Sequence, residues 1–287
     1  MRIAVVGAGW SGLAAAITAT QAGHHATVFE ASRAIGGRAR ALFDTKNTPP
    51  LDNGQHILIG AYTETLRLMR LVGVDIDQAL LRLPLTLLFP DGNGLQLPAL
   101  PAPFDALVGI LRAQGWGWRD KAALLRTAVG WQLGQFQCSP QKSVTHLCAA
   151  LTPRVLNDLI EPLCVAALNT PADRSSGQVF LRVVQDSLFG APGGSNLLLP
   201  RVDLDTLFPA PAVQWLQQRG ATIALGHRVQ VLQPHGTEWL IDGAVFDAVL
   251  LTCPPWEAAR LVEHSGVAAG TWLQKAHALQ FESIATV

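Results

Sequence analysis

The sequence contains little charge of either sign. Asp, Glu, Lys and Arg make up 15% of the 287 residues, whereas apolar residues make up 49%. This composition excludes a disordered chain, which has few apolar side chains and much charge. The 21 basic and 21 acidic residues balance, so the chain lacks the basic surplus with which proteins bind nucleic acid. We therefore expect a globular protein with an apolar substrate or location and no nucleic-acid partner.

Cysteine is scarce and widely spaced. The sequence has four cysteines, with no C-x-x-C pair and no histidine pair at a matching spacing. This pattern argues against a zinc site and against a disulfide framework. We expect no metal site, and we expect reduced, mostly buried thiols in a cytoplasmic protein.

Residues 3–29 lack Asp, Glu, Lys and Arg and follow Arg2, so at first sight they resemble a signal peptide or a membrane span. Their glycines argue against both interpretations, because they fall where a strand, a tight turn and a short helix need them. Elsewhere no run of 18 apolar residues occurs, so the sequence predicts no membrane-spanning helix.

The same segment carries a dinucleotide-binding pattern. An apolar strand at residues 3–6 leads into Gly7-Ala8-Gly9-Trp10-Ser11-Gly12, then into a helix at 13–22 and a second strand at 26–29. In such a β-α-β unit the glycines permit a tight turn, approach of backbone to a pyrophosphate, and packing of the helix on the strand. Glu30 closes the second strand, where a carboxylate accepts ribose hydroxyls and repels a 2′-phosphate. FAD or NAD is therefore favoured over NADP.

A second glycine motif, Gly36-Gly37-Arg38, follows directly. It offers more closely approaching backbone and a guanidinium that can neutralise a diphosphate. Alone, it is equally compatible with an ordinary turn and a solvated arginine. Behind the β-α-β unit, residues 30–39 resemble the FAD signature of the amine oxidase and phytoene desaturase superfamily, which favours flavin over nicotinamide.

The segment Leu51-Asp52-Asn53-Gly54-Gln55-His56 carries candidate proton-exchanging groups. Gly54 would bring backbone close to a flat ring, and Asp52 and His56 are the nearby groups able to exchange protons. The alternative for His56 is a buried histidine whose hydrogen bonds are only structural.

We predict an α/β fold in which a Rossmann-like FAD-binding domain, with a parallel sheet and a β-meander, is interrupted by a helix-rich α+β substrate domain. The FAD-binding domain is predicted at residues 1–79 and 203–264, and the substrate or membrane-facing domain at 80–202. Predicted strands of the second FAD-binding part are 222–225, 228–232, 238–241, 244–246 and 249–253, with Asp242-Gly243 as a hairpin turn. Residues 265–287 are expected to begin a further substrate-domain segment that is cut short, and 281–287 read as an apolar, strand-like run.

Residues 112–154 are basic and rich in tryptophan. They contain six Lys or Arg residues and one acidic residue, Asp120. Such a stretch suits the surface of an anionic membrane. The alternative is a pair of ordinary helices with a core face and a solvated basic face. We expect a cytoplasmic protein with peripheral contact to the inner face of the cytoplasmic membrane.

Three further segments resemble the hydroxysqualene dehydroxylases, also called squalene-associated FAD-dependent desaturases. They are residues 51–62, residues 162–171, and Leu207-Phe208-Pro209 with Pro211-Ala212. The resemblance runs through essentially the whole chain. It implies that reduced FAD converts hydroxysqualene to squalene in bacterial squalene and hopanoid synthesis, and that the substrate is a polyprenyl or triterpene lipid.

The resemblance also implies site residues. The backbone at Val229 would lie near the adenine. The reaction needs an acid for the leaving oxygen, and we predict His56 or Asp52 for that role; the alternatives are that they orient the flavin or only pack. The candidate FAD-binding residues are Gly7, Gly9, Ser11, Gly12, Glu30, Gly37, Arg38, Gly54, Gln55 and Val229. Members of the family continue into a final Gly-Asp type segment that this sequence does not contain, so a truncated chain is expected. The alternatives are a phytoene-type polyprenyl desaturase and a non-catalytic FAD- or lipid-binding fragment.

Overall fold

The computed structural model describes residues 1–42, 51–54, 56–101, 103–281 and 283–284. The chain divides into two units. The first comprises Met1–His56, Glu64–Leu80 and Pro200–Val287, and the second comprises Ile57–Thr63 and Leu81–Leu199. Within the first unit, helix Gly270–His277 packs on helix Pro255–His264. The ring of His277 also lies 2.7 Å from the Glu263 carboxylate. That residues 265–287 begin a further substrate-domain segment stays a prediction.

The strands are short, and their bounds in chain order are β1 (Arg2–Val6), β2 (His25–Glu30), β3 (Ala41–Leu42), β4 (Leu51–Asp52), β5 (Leu58–Ile59), β6 (Leu80–Leu83), β7 (Thr86–Leu88), β8 (Gly94–Gln96), β9 (Leu197–Pro200), β10 (Thr222–Leu225), β11 (Gln233–His235), β12 (Glu238–Ile241), β13 (Ala244–Phe246) and β14 (Ala248–Leu251). The helices are α1 (Trp10–Gln21), α2 (Thr63–Leu71), α3 (Ile76–Ala79), α4 (Phe104–Arg112), α5 (Trp118–Leu133), α6 (Val144–Leu147), α7 (Pro153–Val155), α8 (Glu161–Leu168), α9 (Gly177–Leu188), α10 (Leu204–Leu207), α11 (Pro209–Gln217), α12 (Pro255–His264) and α13 (Gly270–His277). A π-helical segment, Leu156–Ile160, lies between α7 and α8.

The first unit is built on a parallel sheet with the strand order β10-β2-β1-β14. Val5 of β1 pairs with Val28 on one side and Leu250 on the other. Both neighbours are apolar because a parallel sheet is covered on both faces and its central strands read as continuous apolar runs. Leu13 and Ile17 of α1 are fully buried. The carboxyl ends of these strands form the edge that carries the glycine turn.

A β-meander, β11-β12-β13, accompanies this sheet. Asp242 and Gly243 join β12 to β13 with φ of 49° and 83°, and positive φ at both positions is what a tight hairpin turn requires. The parallel sheet and the meander confirm the predicted fold class.

One predicted strand of this unit is wrong. Residues 228–232 are not in a strand, and the pairing begins only at Gln233. The carbonyls of Val229 and Gln230 instead accept hydrogen bonds from Arg260. The guanidinium group of Arg260 thus takes the place of the backbone N–H groups that a neighbouring strand would supply. Of the run predicted at 281–287, Phe281, Ser283 and Ile284 are not in a strand, and the remaining four residues lie outside the described part of the chain.

The second unit consists mainly of helices around an apolar core, with two small sheets, β5-β9-β6 and β7-β8. The pairings β5–β9 and β7–β8 are antiparallel. Phe180 and Leu181 of α9 are fully buried in that core. They occupy a helix whose apolar residues recur on one face, as the packing of an amphipathic helix requires. No helix in the described residues of either unit is long and apolar enough to cross a membrane.

Candidate cofactor site

The glycine turn between β1 and α1 depends on close approach of backbone. The Gly7 N–H donates to the Phe29 carbonyl at 2.7 Å, which ties the turn to β2. A Cβ atom on Gly12 would lie 1.8 Å from the Gly7 carbonyl oxygen. Only glycine therefore fits at residue 12 without a shift of the backbone.

Thr252 holds the same turn from the next strand. Its hydroxyl donates to the Val6 carbonyl at 2.9 Å and lies 3.1 Å from the Gly7 carbonyl oxygen. The sequence-based prediction missed this residue. The available signal was its position directly after an apolar strand, because the carboxyl ends of parallel strands meet at one edge of a sheet.

Glu30 ends β2 with its carboxylate turned toward the glycine turn. Oε2 accepts a hydrogen bond from the Ala8 N–H and Oε1 accepts one from the Ser32 N–H, each at 2.8 Å. A carboxylate has about four acceptor positions. Two positions therefore remain for other donors, such as the hydroxyls of a ribose.

The second glycine turn lies against the first. The Gly36 N–H donates to the Ala8 carbonyl at 2.9 Å. Gly37 has a φ of +65°, and a Cβ there would lie 3.1 Å from the Gly9 Cα, so both its backbone and its surroundings favour glycine. Gly9 differs, because its φ of −72° suits any residue. Among the described atoms, a Cβ on Gly9 meets only the Gly37 Cα, at 3.9 Å. The chain itself leaves space over Gly9.

Helix α1 begins beside that space. Gly9 is its N-cap, and no described side chain caps its first N–H groups. Ser11 in the first turn and Arg38 after the second glycine turn are both exposed. Uncapped helix N–H groups and a guanidinium are groups that an anion such as a diphosphate binds.

The Asp52–His56 segment is joined to the second glycine turn through Asn53. The Asn53 side-chain amide donates to the Arg38 carbonyl and its N–H donates to the Arg40 carbonyl, each at 2.9 Å. The structure thus brings Gly54 next to the turn that contains Gly37. Gln55 lies outside the described residues.

The two candidate proton donors have different surroundings. Nδ1 of the half-buried His56 lies 3.0 Å from the Gly54 carbonyl oxygen. Because a carbonyl only accepts, Nδ1 carries the hydrogen, and Nε2 is the ring atom that gains or loses a proton. Asp52 Oδ1 instead accepts a hydrogen bond from the Leu204 N–H at 2.9 Å. This bond occupies one oxygen of Asp52 with a backbone donor of the loop before α10.

A third acidic group, Asp205, lies near Asp52 and was not predicted. Burial raises the pKa of Asp205, and the nearby carboxylates of Asp203 and Asp52 raise it further. The Ala41 N–H, which donates to Asp205 Oδ1 at 3.0 Å, opposes this rise. The loop before α10 therefore places several carboxylates beside the short β3-β4 pair.

The loop after β10 brings Val229 toward Glu30. The His227 N–H donates to the Glu30 carbonyl at 2.8 Å, and the Gly226 N–H donates to the Ser32 carbonyl at 2.7 Å. Val229 itself is buried against Phe29 and other apolar residues of the first unit. The predicted adenine-side residue and the predicted ribose-side residue thus lie at one edge of the sheet.

Arg260 of α12 anchors this loop and was also missed. Its Nη2 and Nη1 donate to the Val229 and Gln230 carbonyls, each at 3.2 Å. Glu257, one turn earlier, accepts hydrogen bonds from Arg260 and from Arg228. The Arg260 hydrogen bond is the main reason why the pKa of Glu257 is lowered. An i,i+3 acid–base pair on a helix is too common a pattern to reveal such an anchor from sequence.

Two of the four thiols, Cys148 and Cys253, are poor nucleophiles. Burial raises the pKa of Cys253 to about 11 and that of Cys148 to about 12. Thiolates are scarce at such values near neutral pH. Among the described residues, no group of His, Cys, Asp and Glu side chains is arranged to hold a metal ion.

The comparison with protein families identifies the class. Residues 10–287 match the flavin-containing amine oxidoreductase family, and the chain belongs to that family. Its cofactor is FAD, which agrees with the acidic residue at the end of β2.

Three curated hydroxysqualene dehydroxylases are similar to this chain. The protein of Rhodopseudomonas palustris is 28% identical over 271 residues, and those of Sinorhizobium fredii and Zymomonas mobilis are 27% and 24% identical. Each match covers 90% of this chain and 63% of the relative, so the chain spans a little under two thirds of their length. A 15-cis-phytoene desaturase of Synechococcus elongatus is 27% identical over 237 residues, which is 78% of this chain and 49% of the relative.

The fold also matches solved structures. An oxidoreductase from Methanosarcina mazei superposes with a TM-score of 0.71 at 17% identity, over 98% of this chain and 66% of the other. At this identity the likeness concerns the fold.

The residues at the sheet edge fit the ADP part of FAD. The described residues leave space over Gly9, and none of their side chains caps the start of α1. The Glu30 carboxylate keeps acceptor positions after its two backbone hydrogen bonds. These are the three features that a diphosphate and a ribose require.

Proposed function

We propose that this protein is an FAD-dependent oxidoreductase that reduces hydroxysqualene to squalene with loss of water. The observation that carries the proposal is the similarity, over 90% of the chain, to three relatives named hydroxysqualene dehydroxylase. When bound and reduced, FAD supplies a hydride to the allylic carbon from which the hydroxyl group leaves as water.

The first unit would hold the cofactor through its glycine turns. In the proposed complex the diphosphate lies over Gly9 at the start of α1, with the Arg38 guanidinium beside it. Glu30 accepts the ribose hydroxyls, and the backbone at Val229 contacts the adenine. The geometry supports this arrangement because these groups share one edge of the parallel sheet.

The chain would also supply the proton that the leaving hydroxyl takes up. Of the two candidates, His56 is better suited than Asp52, since the Leu204 N–H already occupies Asp52 Oδ1. The Gly54 carbonyl holds Nδ1 of His56, which leaves Nε2 to donate. Histidine is the side chain most often used for such proton transfer.

The apolar interior of the second unit supports a lipid substrate. A cavity of about 70 Å³ lies there, lined wholly by apolar residues that include Leu97, Trp131, Leu159, Ile160 and Phe180. It is smaller than the cavity of about 150 Å³ that admits benzene, so it takes only a short stretch of a polyprenyl chain unless its walls move. Leu159 and Ile160 belong to the π-helical segment, a distortion that often accompanies functional sites.

The reaction can be tested directly with the 287-residue chain. Purified protein is loaded with FAD, reduced without oxygen and mixed with hydroxysqualene, and the products are separated by chromatography. We expect squalene, and we expect none from the variant Glu30→Arg, which should not retain the cofactor. A yellow, reducible protein that forms no squalene would contradict the proposed reaction while leaving the cofactor assignment intact.

A second candidate is a phytoene-type desaturase, in which oxidised FAD removes hydride from a polyprenyl chain. The similarity to 15-cis-phytoene desaturase over 78% of the chain favours it. Incubation of the oxidised protein with phytoene distinguishes the two, because new conjugated double bonds absorb visible light. Their appearance, without squalene formation in the first assay, would replace the first proposal by the second.

The cofactor contact can be tested without any assay of activity. The variant Gly9→Leu should keep the thermal unfolding temperature of the unmodified chain, because the Cβ meets only one described atom within 4 Å. It should nevertheless lose FAD, measured by quenching of flavin fluorescence. Unchanged FAD affinity in this variant would show that the diphosphate does not lie over Gly9. A chain that takes up no flavin at all would support the third possibility, a non-catalytic fragment.

A further inference from the structure

Two consecutive helices of the second unit expose large apolar side chains. On α4, Phe104, Leu107 and Leu111 recur at helical spacing, and Phe104 is 59% exposed. On α5, Trp118 and Leu133 are 77% and 80% exposed. Single exposed apolar residues are common on protein surfaces, whereas a group of them marks an interaction surface.

The exposed residues of α5 form one stripe. At 3.6 residues per turn, Trp118, Ala122, Val129 and Leu133 lie within about 60° of one another around the helix axis. Leu124, on the opposite side, is buried in the core of the second unit. The helix therefore packs through one face and leaves a second apolar face in contact with solvent.

Basic side chains border this stripe. Arg119 and Arg126 lie along its edge on α5, and Arg112 ends α4. None of these three guanidinium groups forms an ion pair or a side-chain hydrogen bond with a residue that the structure describes. Their charge is available to an external anion.

The acidic residue of α5, Asp120, is engaged inside the unit, and Asp105 of α4 is buried. Asp120 Oδ2 accepts the Gly117 N–H at 2.9 Å, and Oδ1 accepts the Thr152 hydroxyl at 2.6 Å. The Thr152 hydrogen bond is the main reason why the pKa of Asp120 is lowered. Lys121 Nζ donates to the Leu111 carbonyl at 2.8 Å, which fastens the start of α5 to the end of α4. The two helices that carry the exposed apolar residues are thus joined by a direct contact.

We propose that the α4–α5 face, formed by these exposed apolar residues and by Arg112, Arg119 and Arg126, docks on an anionic lipid bilayer. The apolar side chains enter the headgroup region, where a tryptophan is well accommodated, and the guanidinium groups bind lipid phosphates. Charge favours this occupant over a second copy of the chain, because two such faces bring like charges together. The proposal goes beyond the proposed reaction and does not depend on it.

Vesicle binding tests the proposal with the full chain. Sedimentation is measured with vesicles of phosphatidylcholine alone and with vesicles that also contain phosphatidylglycerol. Two variants carry the test, Trp118→Ser with Leu133→Ser and Arg119→Gln with Arg126→Gln. Matched controls remove the same groups elsewhere on the surface, Trp272→Ser with Leu279→Ser and Arg67→Gln with Arg182→Gln.

We expect binding only to the anionic vesicles, and at least about tenfold weaker binding for each α4–α5 variant than for its control. Binding should also fall when the salt concentration rises from about 0.1 M to about 1 M, which shortens the Debye length from about 10 Å to about 3 Å. Equal binding to both vesicle types, or equal loss in the controls, would overturn the proposal.

A second measurement tests the proposal if one of the double variants does not fold. Brominated lipid should quench the tryptophan fluorescence of the unmodified chain, and the mild variant Trp118→Phe should lose most of that quenching. Quenching that persists in Trp118→Phe would contradict insertion at this face. So would self-association of the unmodified chain, seen in sedimentation velocity, that Leu133→Ser abolishes while vesicle binding remains. If the chain forms no squalene but binds anionic vesicles through the α4–α5 face as expected, the proposed reaction is rejected and the proposed membrane surface is supported.

Discussion

The two units of this molecule are specified by different kinds of contact. At the sheet edge of the first unit, backbone groups meet one another directly, as at Gly12 against the Gly7 carbonyl. In the second unit, apolar side chains such as Phe180 fill an interior that contains no polar lining around its cavity. The backbone contact at the sheet edge requires glycine at that position. The interior of the second unit requires only that apolar side chains fill its volume.

This difference has consequences for substitution. A substitution at the sheet edge should alter FAD affinity strongly. Its effect on the free energy of unfolding depends on whether the new side chain collides with neighbouring backbone. A change in the helical interior should alter stability strongly and FAD affinity little, because the interior is tolerant of which apolar residue is present but not of an empty space.

The largest expected effect is that of Phe180→Ala. Phe180 is fully buried, and removal of such a ring costs about 3–5 kcal/mol of unfolding free energy. Denaturant unfolding measures this loss. The affinity for FAD, measured on the folded fraction, should not change. A parallel loss of FAD affinity would break the distinction between the two units.

A smaller but sharper effect is expected for Gly12→Ala. The added methyl group meets the Gly7 carbonyl oxygen, so the turn must move, at a cost of about 1–3 kcal/mol. The matched control is Gly130→Ala on α5, where nothing lies within 4 Å of the new atom. That variant should be neutral or should stabilise the chain by up to about 1 kcal/mol. Similar unfolding curves for the two variants would contradict the assigned packing at Gly12.

The loop anchor predicts an effect on the cofactor rather than on the fold. Arg260→Gln removes the hydrogen bonds to the Val229 and Gln230 carbonyls. We expect about tenfold weaker FAD binding, since a hydrogen bond from a charged group contributes about 1.5–3 kcal/mol. Titration with FMN, which lacks the adenosine part, should show no such loss. An equal loss for FAD and FMN would mean that Arg260 does not act through the adenine side.

The smallest expected effect is a pH dependence. The pKa of Glu257 is lowered in the folded chain, first by its hydrogen bond with Arg260. Its contribution to stability is therefore present above the unfolded pKa of about 4.3 and is lost as the pH falls through the lower folded value. Glu257→Gln should reduce stability by about 1 kcal/mol or less near neutral pH and flatten the acid side of the unfolding profile. An unchanged profile would contradict the ion pair.

The sequence predicted the first unit best where the physical constraint is local. The strand at Thr222–Leu225 and the hairpin at Asp242-Gly243 occur with the predicted bounds. Both depend on short-range patterns, namely an apolar run after a helix and a turn that needs positive φ. The β-α-β unit was predicted for the same reason, although α1 begins three residues earlier than expected, at Trp10.

The residues that the sequence did not reveal act through long-range contacts. Thr252 reaches a turn about 245 positions earlier in the chain, and Arg260 reaches carbonyls 30 and 31 positions earlier. No local pattern distinguishes such an arginine from an ordinary surface residue, and the position of Thr252 after an apolar strand does not by itself show which turn it contacts. The predicted strand at 228–232 was wrong for the same reason. The Val229 and Gln230 carbonyls accept hydrogen bonds from the Arg260 side chain of α12 and not from a neighbouring strand.

The pairing of β1 with β14 determines when the cofactor edge is completed during synthesis. Ile3 lies opposite Ala248, so β1 must wait for the synthesis of a strand about 245 residues further along the chain before its sheet closes. Long-range parallel pairing is slow to form, and an unpaired apolar strand is prone to aggregate. Nascent chains that stall before residue 248 should therefore expose the open side of β1, a natural binding site for molecular chaperones.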